Sequence, residues 1–147
     1  MKSLLRNLLI STVLLLPGAA HAQPTKALNV TGIWIFWAVL PGQTQPSYVG
    51  TPEFEANGTL SGGGSLIGKW VRTGNQEFAF TFLANSYDSS GKYTDTHRVR
   101  GMLTLSDDGV SATGKTLLEI LDPTGAVIFT SPGPTKFSGV KLVVTPF

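Results

Sequence analysis

The longest apolar run beyond residue 22 of this chain is Asn29-Val30-Thr31-Gly32-Ile33-Trp34-Ile35-Phe36-Trp37-Ala38-Val39. Both alternate sets of side chains in this run are apolar, which is typical of a strand covered on its two faces. The sequence downstream consists of shorter apolar segments that can wrap around this strand and close a barrel. We therefore interpret residues 29–39 as the first strand of an all-β domain.

The first 22 residues have the three parts of a secretory signal peptide. Lys2 and Arg6 form the basic start, residues 8–16 the apolar centre, and Ala20-His21-Ala22 the small-residue cleavage site. The apolar centre is shorter than the ~20 residues that span a bilayer, so we expect cleavage after Ala22 and no stable membrane span. The sequence thus predicts a secreted or periplasmic protein whose mature part, residues 23–147, is a single domain.

Charge and cysteine content restrict the function. The chain carries 11 Lys plus Arg and 9 Asp plus Glu, and Lys2 and Arg6 leave with the signal peptide. The mature domain is then near neutral, which argues against nucleic acid as a partner. The chain has no cysteine, and one histidine, His97, remains after cleavage. We predict neither a metal nor another cofactor, and the sequence does not define an oligomeric state.

Alternating apolar residues and turn signals predict seven further strands. Asn57-Gly58 is a type I′ hairpin signal, and Gly62-Gly63-Gly64 predicts a bulge or sharp bend within the third strand. These strands cover residues 51–56, 59–72, 76–83, 93–105, 110–121, 126–131 and 135–145. Because tight turns join most of them, we predict an eight-stranded antiparallel up-and-down barrel, with a two-sheet sandwich as the alternative.

The Gly-x-Trp at Gly32-Ile33-Trp34, on the first strand of an eight-stranded meander, resembles that of the calycin group, which includes lipocalins, fatty-acid-binding proteins and avidins. Residues 54–60 and Gly68-Lys69-Trp70 are similar to the strand-turn-strand layout of small bacterial lipocalin-like domains. Allene oxide cyclases and dirigent proteins are similar in architecture only. The resemblance implies a barrel with a small-molecule site in its interior.

The calycin resemblance also implies a cover for the first-strand tryptophan. Lipocalins usually pack this residue under an arginine from the closing strand, where this chain offers Lys136 and Lys141. The polar residues of an avidin pocket are not recognisable, so biotin is not the expected ligand.

The fifth predicted strand carries the candidate catalytic residues Tyr93, Asp95 and His97. They share alternation parity with the apolar residues of the same strand, so all three point into the barrel near one mouth if that set faces inward. Asp95 could then hold the tautomer of His97 and raise its basicity, as a general base requires. The alternative interpretation is a polar strand end in contact with water.

Arg98 and Arg100 have the opposite parity. We expect them to be surface charges; with the parity reversed they would form an inward cationic pair able to hold a carboxylate.

The candidate ligand-binding residues are Trp34, Phe36, Trp70 and Phe80. These aromatic side chains are enough to line a pocket and equally enough to fill a core. Our leading hypothesis is a barrel that binds a small hydrophobic ligand in its interior. The alternatives are a cofactor-free cyclase, isomerase or dehydratase that uses His97 and Asp95, and a small outer-membrane barrel or a structural protein.

Overall fold

Ten strands make up the regular structure in the described part of this chain. A computed structural model describes residues 27–40 and 42–146. The strands are β1 Gly32–Ala38, β2 Ser47–Gly50, β3 Glu53–Phe54, β4 Thr59–Ser61, β5 Ile67–Arg72, β6 Glu77–Tyr87, β7 Tyr93–Leu105, β8 Ser111–Leu121, β9 Val127–Thr130 and β10 Thr135–Lys141. Within the described ranges, no helix has the length and apolarity to cross a membrane. The predicted signal peptide, residues 1–22, lies outside these ranges.

The sheet closes on itself because β10 pairs with both β8 and β1. The closed path runs β1, β3, β4, β5, β6, β7, β8 and β10, and every pairing is antiparallel. The short strand β2 continues the position of β3 along β1, and β9 continues the position of β10 along β8. The prediction of an eight-stranded antiparallel up-and-down barrel is confirmed, and closure pairs the edges that an open sheet would expose.

One strand assignment and one predicted barrel position were wrong. Residues 59–72 form two antiparallel strands, β4 and β5, and Gly62-Gly63-Gly64 belongs to the turn between them. The two strands predicted at 126–131 and 135–145 share one barrel position, because Pro132-Gly133-Pro134 interrupts a single partner of β8. The two corrections cancel, so the barrel still has eight strands.

One end of the barrel is filled by apolar side chains. Trp34 is completely buried there, and its Nε1 donates a hydrogen bond of 2.7 Å to the Val30 carbonyl oxygen. The largest fully buried side chains are Trp34, Phe54, Phe78, Leu60, Leu103, Leu105 and Val30. Burial of each such side chain contributes about 1.5–3 kcal/mol relative to exposure. This packed end replaces the covalent staples that a chain without cysteine cannot form.

A lysine from the closing strand covers Trp34. Lys141 on β10 is the direct cross-strand partner of Trp34, and its Nζ lies 5.9 Å from the centroid of the tryptophan ring. The same Nζ donates to the Asn29 carbonyl oxygen at 3.3 Å, and burial lowers the pKa of Lys141. Gly32 leaves room for this side chain, since a Cβ at its φ of 121° would come within 2.8 Å of Lys141 Cε. Lysine therefore takes the place that the resemblance implied for arginine.

Candidate functional site

Four phenylalanine rings form a floor across the middle of the barrel. Phe36 contacts Phe54 with ring centroids 6.4 Å apart, and Phe54 contacts Phe80 at 6.2 Å. Phe80 contacts Phe137 at 6.0 Å, and Phe137 returns to Phe36 at 5.0 Å. All four contacts are edge-to-face, the geometry that the charge distribution of aromatic rings favours. The floor separates the packed end from the space above it.

Glycines on neighbouring strands make room for these rings. In each case the ring lies against a glycine directly opposite in the antiparallel register. The pairs are Phe36 with Gly139, Phe80 with Gly101 and Phe137 with Gly114. A Cβ on Gly101 would come within 2.8 Å of Phe80 Cε1. Each of these inward-facing glycines thus leaves the space that an aromatic ring from the adjacent strand occupies.

A cavity of about 550 Å³ lies above the floor, at the opposite end from Trp34. Its volume is within the range of small-molecule sites. The apolar residues of its wall are Ala38, Leu40, Val49, Pro52, Leu60, Leu66, Phe82, Ala84, Val99, Leu118, Phe129 and Pro132. Its polar side chains are Tyr48, Thr51, His97, Thr116, Ser131 and Thr135. No Lys, Arg, Asp or Glu among the described residues lines it, so the cavity is apolar with a few hydroxyl groups and one imidazole.

His97 lies at the edge of this cavity, and Asp95, which does not line it, lies beside His97. His97 lines the wall, and its Nε2 lies 3.1 Å from Asp95 Oδ1. Oδ1 is shielded from solvent and has no well-aligned donor in the described part of the chain. The other oxygen, Oδ2, accepts from the Thr94 hydroxyl at 2.9 Å. The hydrogen bonds from Thr94 and Ser86 and the neighbouring His97 lower the pKa of Asp95, although burial opposes them.

The structure does not bring Tyr93 to this pair. The register of β6 and β7 shifts so that Tyr87 faces Tyr93 while Ser86 faces Asp95, which leaves Thr94 as an extra residue. Such a bulge reverses the alternation, and Tyr93 points to the outer face. Its hydroxyl is 2.7 Å from Thr96 Oγ1, and its ring packs edge-on against Tyr87. The shared orientation expected for Tyr93, Asp95 and His97 therefore holds only for the last two.

The arginines of β7 form a charge cluster on the outer wall. Arg98 Nε donates to Glu119 Oε2 at 2.7 Å, and Arg100 Nη2 donates to Glu119 Oε1 at 3.1 Å. The hydrogen bond from Arg98, together with the two positive charges, lowers the pKa of Glu119. The prediction that these arginines are surface charges is confirmed, and no inward cationic pair forms.

The four candidate aromatic residues divide between two regions. Phe36 and Phe80 line the cavity, whereas Trp34 and Trp70 belong to the packed end. Trp70 Nε1 donates to the Glu55 carbonyl oxygen at 2.9 Å, which fixes the ring in that layer. The cavity residues that the sequence analysis did not single out include Leu118, Phe129 and Phe137. Glycines at inward positions of β7, β8 and β10 were the available signal for the phenylalanines opposite them.

A second concavity lies on the outside of the sheet. It has a volume of about 780 Å³ and crosses β6, β7, β8 and β10, with Arg100, Met102, Lys115, Leu117 and Lys136 along it. This groove is larger in volume and more open than the interior cavity. The interior cavity is the more enclosed of the two, and one of its lining residues, His97, has the Asp95 carboxylate beside it.

Fold and cavity define a class: a small all-β barrel, packed at one end and hollow at the other. Comparison with protein-family models, with curated proteins and with solved structures finds no match. The described residues contain no group of three or more His, Asp or Glu side chains that could hold a metal ion. The candidate site therefore rests on the geometry of this chain alone.

Proposed function

We propose that this protein is a calycin-like barrel that binds one small apolar molecule in the cavity above Phe36 and Phe80. The observation that carries the proposal is the cavity of about 550 Å³ with a phenylalanine floor and a wall free of Lys, Arg, Asp and Glu in its described residues. Water forms few hydrogen bonds in such a cavity. An apolar molecule that enters it removes its own surface from water, which is favourable. The position of Lys141 over Trp34, the tryptophan of the Gly-x-Trp, supports the comparison with calycins.

The export signal expected at residues 1–22 fits this proposal. A secreted or periplasmic barrel of this kind would hold or carry a molecule that water dissolves poorly. Pre-formed walls favour binding, because little conformational entropy is lost when the ligand enters.

The direct test is native mass spectrometry of protein isolated from its own host, followed by organic extraction. We expect one apolar small molecule per chain. Titration with the neutral fluorescent probe N-phenyl-1-naphthylamine then locates the site. Ala84→Trp places an indole in the cavity and should abolish probe binding, while Ala79→Trp on the outward face of the same strand should leave it unchanged. A probe that binds both variants equally well would contradict the proposed site.

A second candidate is a cofactor-free enzyme that folds or dehydrates an apolar substrate in the same cavity. The observation that favours it is the 3.1 Å separation of His97 Nε2 and Asp95 Oδ1 at the cavity edge. An imidazole held by a carboxylate can act as general base and then return the proton. His97→Ala protein isolated from the host should then contain an unconverted substrate that differs from the molecule in the wild type. Recovery of the same molecule from both proteins excludes this role for His97.

A further inference from the structure

The charges around the cavity are arranged asymmetrically. Arg98 and Arg100 point outward and share Glu119, and Lys141 lies at the packed end over Trp34. Inside the cavity, His97 is the only described side chain that can carry a positive charge. Its Nε2 already faces a carboxylate, that of Asp95. No positive charge in the described residues is thus left for an anion inside the barrel.

We infer that the occupant of the cavity is a neutral apolar molecule with a hydrogen-bonding end, such as a hydroxyl group, and that this end lies at His97, the residue beside Asp95. This inference rests on the function proposed above and narrows its ligand class. A long-chain alcohol or a hydroxylated polycyclic hydrocarbon has this chemistry. A fatty-acid anion does not.

The imidazole of His97 explains the preference for a hydroxyl. His97 lines the cavity, and its Nε2 lies 3.1 Å from Oδ1 of the Asp95 carboxylate, which is itself shielded from solvent. When an uncharged imidazole donates through Nε2, its other nitrogen, Nδ1, is an acceptor. A ligand hydroxyl can donate to that nitrogen, whereas a ligand carboxylate has no proton to donate.

The carboxylate of Asp95 disfavours an acid. A ligand carboxylate beside His97 would bring a second negative charge next to Asp95, with a single imidazole between the two. The ligand carboxylate would also move from water to an apolar wall. Burial without a neighbouring cation disfavours the ionised form of a carboxyl group. The hydroxyls of Thr116 and Thr135 line the cavity as well, but they offer no positive charge.

The test compares two ligands that differ only at the polar end. 1-Dodecanol and dodecanoate should displace N-phenyl-1-naphthylamine from the wild-type protein at mildly alkaline pH, where the acid is ionised. We expect the alcohol to bind about tenfold more tightly, the effect of one repulsive charge pair near a protein surface. Equal or tighter binding of dodecanoate overturns the inference and leaves the proposed function standing.

Two variants identify the carboxylate responsible. Asp95→Asn removes the negative charge and keeps the shape, so it should bring the affinity for dodecanoate close to that for 1-dodecanol. Glu53→Gln removes one negative charge from an exposed position on β3 and should keep the difference between the ligands. If Asp95→Asn leaves the difference unchanged, Asp95 does not select the ligand. If the probe binds neither the wild type nor Ala79→Trp, the proposed function fails, and the inference fails with it.

Discussion

The ring of Phe80 on β6 lies against the backbone of Gly101, its direct antiparallel partner on β7. The same relationship joins Phe36 to Gly139 across β1 and β10. Each glycine gives up the stability that a packed side chain would add to its strand, and the ring from the next strand occupies the space instead. The floor of the cavity therefore depends on residues without side chains as much as on the phenylalanines.

Gly101→Ala should destabilise the barrel by about 1–3 kcal/mol, the usual cost of an extra methyl group in a filled core. The new Cβ would displace the Phe80 ring, and with it the floor. Urea unfolding followed by tryptophan fluorescence measures the change. Gly133→Ala is the matched control, because nothing lies within 4 Å of a Cβ at that loop position, and its effect should stay within about 0.5 kcal/mol. Equal effects of the two substitutions would show that the ring moves aside without cost.

Gly32→Ala should be more costly than Gly42→Ala. Both glycines have positive φ, 121° and 81°, so each alanine meets backbone strain of about 1–3 kcal/mol. At Gly32 the methyl group also meets Lys141 Cε, whereas the space around Gly42 is open. The difference in free energy of unfolding between the two variants then reports the contact with Lys141, together with the larger departure of Gly32 from the left-handed region. A Gly42→Ala variant as unstable as Gly32→Ala would mean that the contact with Lys141 carries no weight.

Glu119→Gln should destabilise the protein at neutral pH and have less effect in acid. The arginines lower the pKa of Glu119 below its ordinary value of 4.5 in the folded state. The carboxylate therefore stabilises the fold above pH 4.5, and this stabilisation is lost as the pH falls through the lowered pKa. The difference in free energy of unfolding between wild type and variant should close in the same interval. Arg98→Met should show the same trend, since it removes the main donor; a constant difference across this interval would contradict the assignment.

Local patterns in the sequence were sufficient for the barrel and for the orientation of its longest strands. Alternation in 93–105 placed His97 and Asp95 on the inward face and Arg98 on the outer one. These features depend on the two-residue period of a strand, which a sequence displays directly. The Gly62-Gly63-Gly64 segment was misjudged because three glycines fit both a bent strand and a turn.

The height of a residue along the barrel axis could not be predicted from the sequence. Trp34 and Phe36 have the same parity on one strand, yet the first lies in the packed end and the second under the cavity. That difference comes from the stagger between strands, which no local pattern records. The bulge at Thr94 was equally hidden, because a single inserted residue changes the orientation of Tyr93 without altering the composition of the strand.

The packed layer around Trp34 makes this barrel a cup rather than a tube. A molecule that enters above the phenylalanine floor has to leave by the same mouth, so loading and release compete for one passage. Exchange therefore cannot proceed by a second molecule pushing the first one through. The residence time of any occupant is set by the segments that border that opening. A substitution at the packed end should therefore change the free energy of unfolding without changing the rate at which the ligand is released.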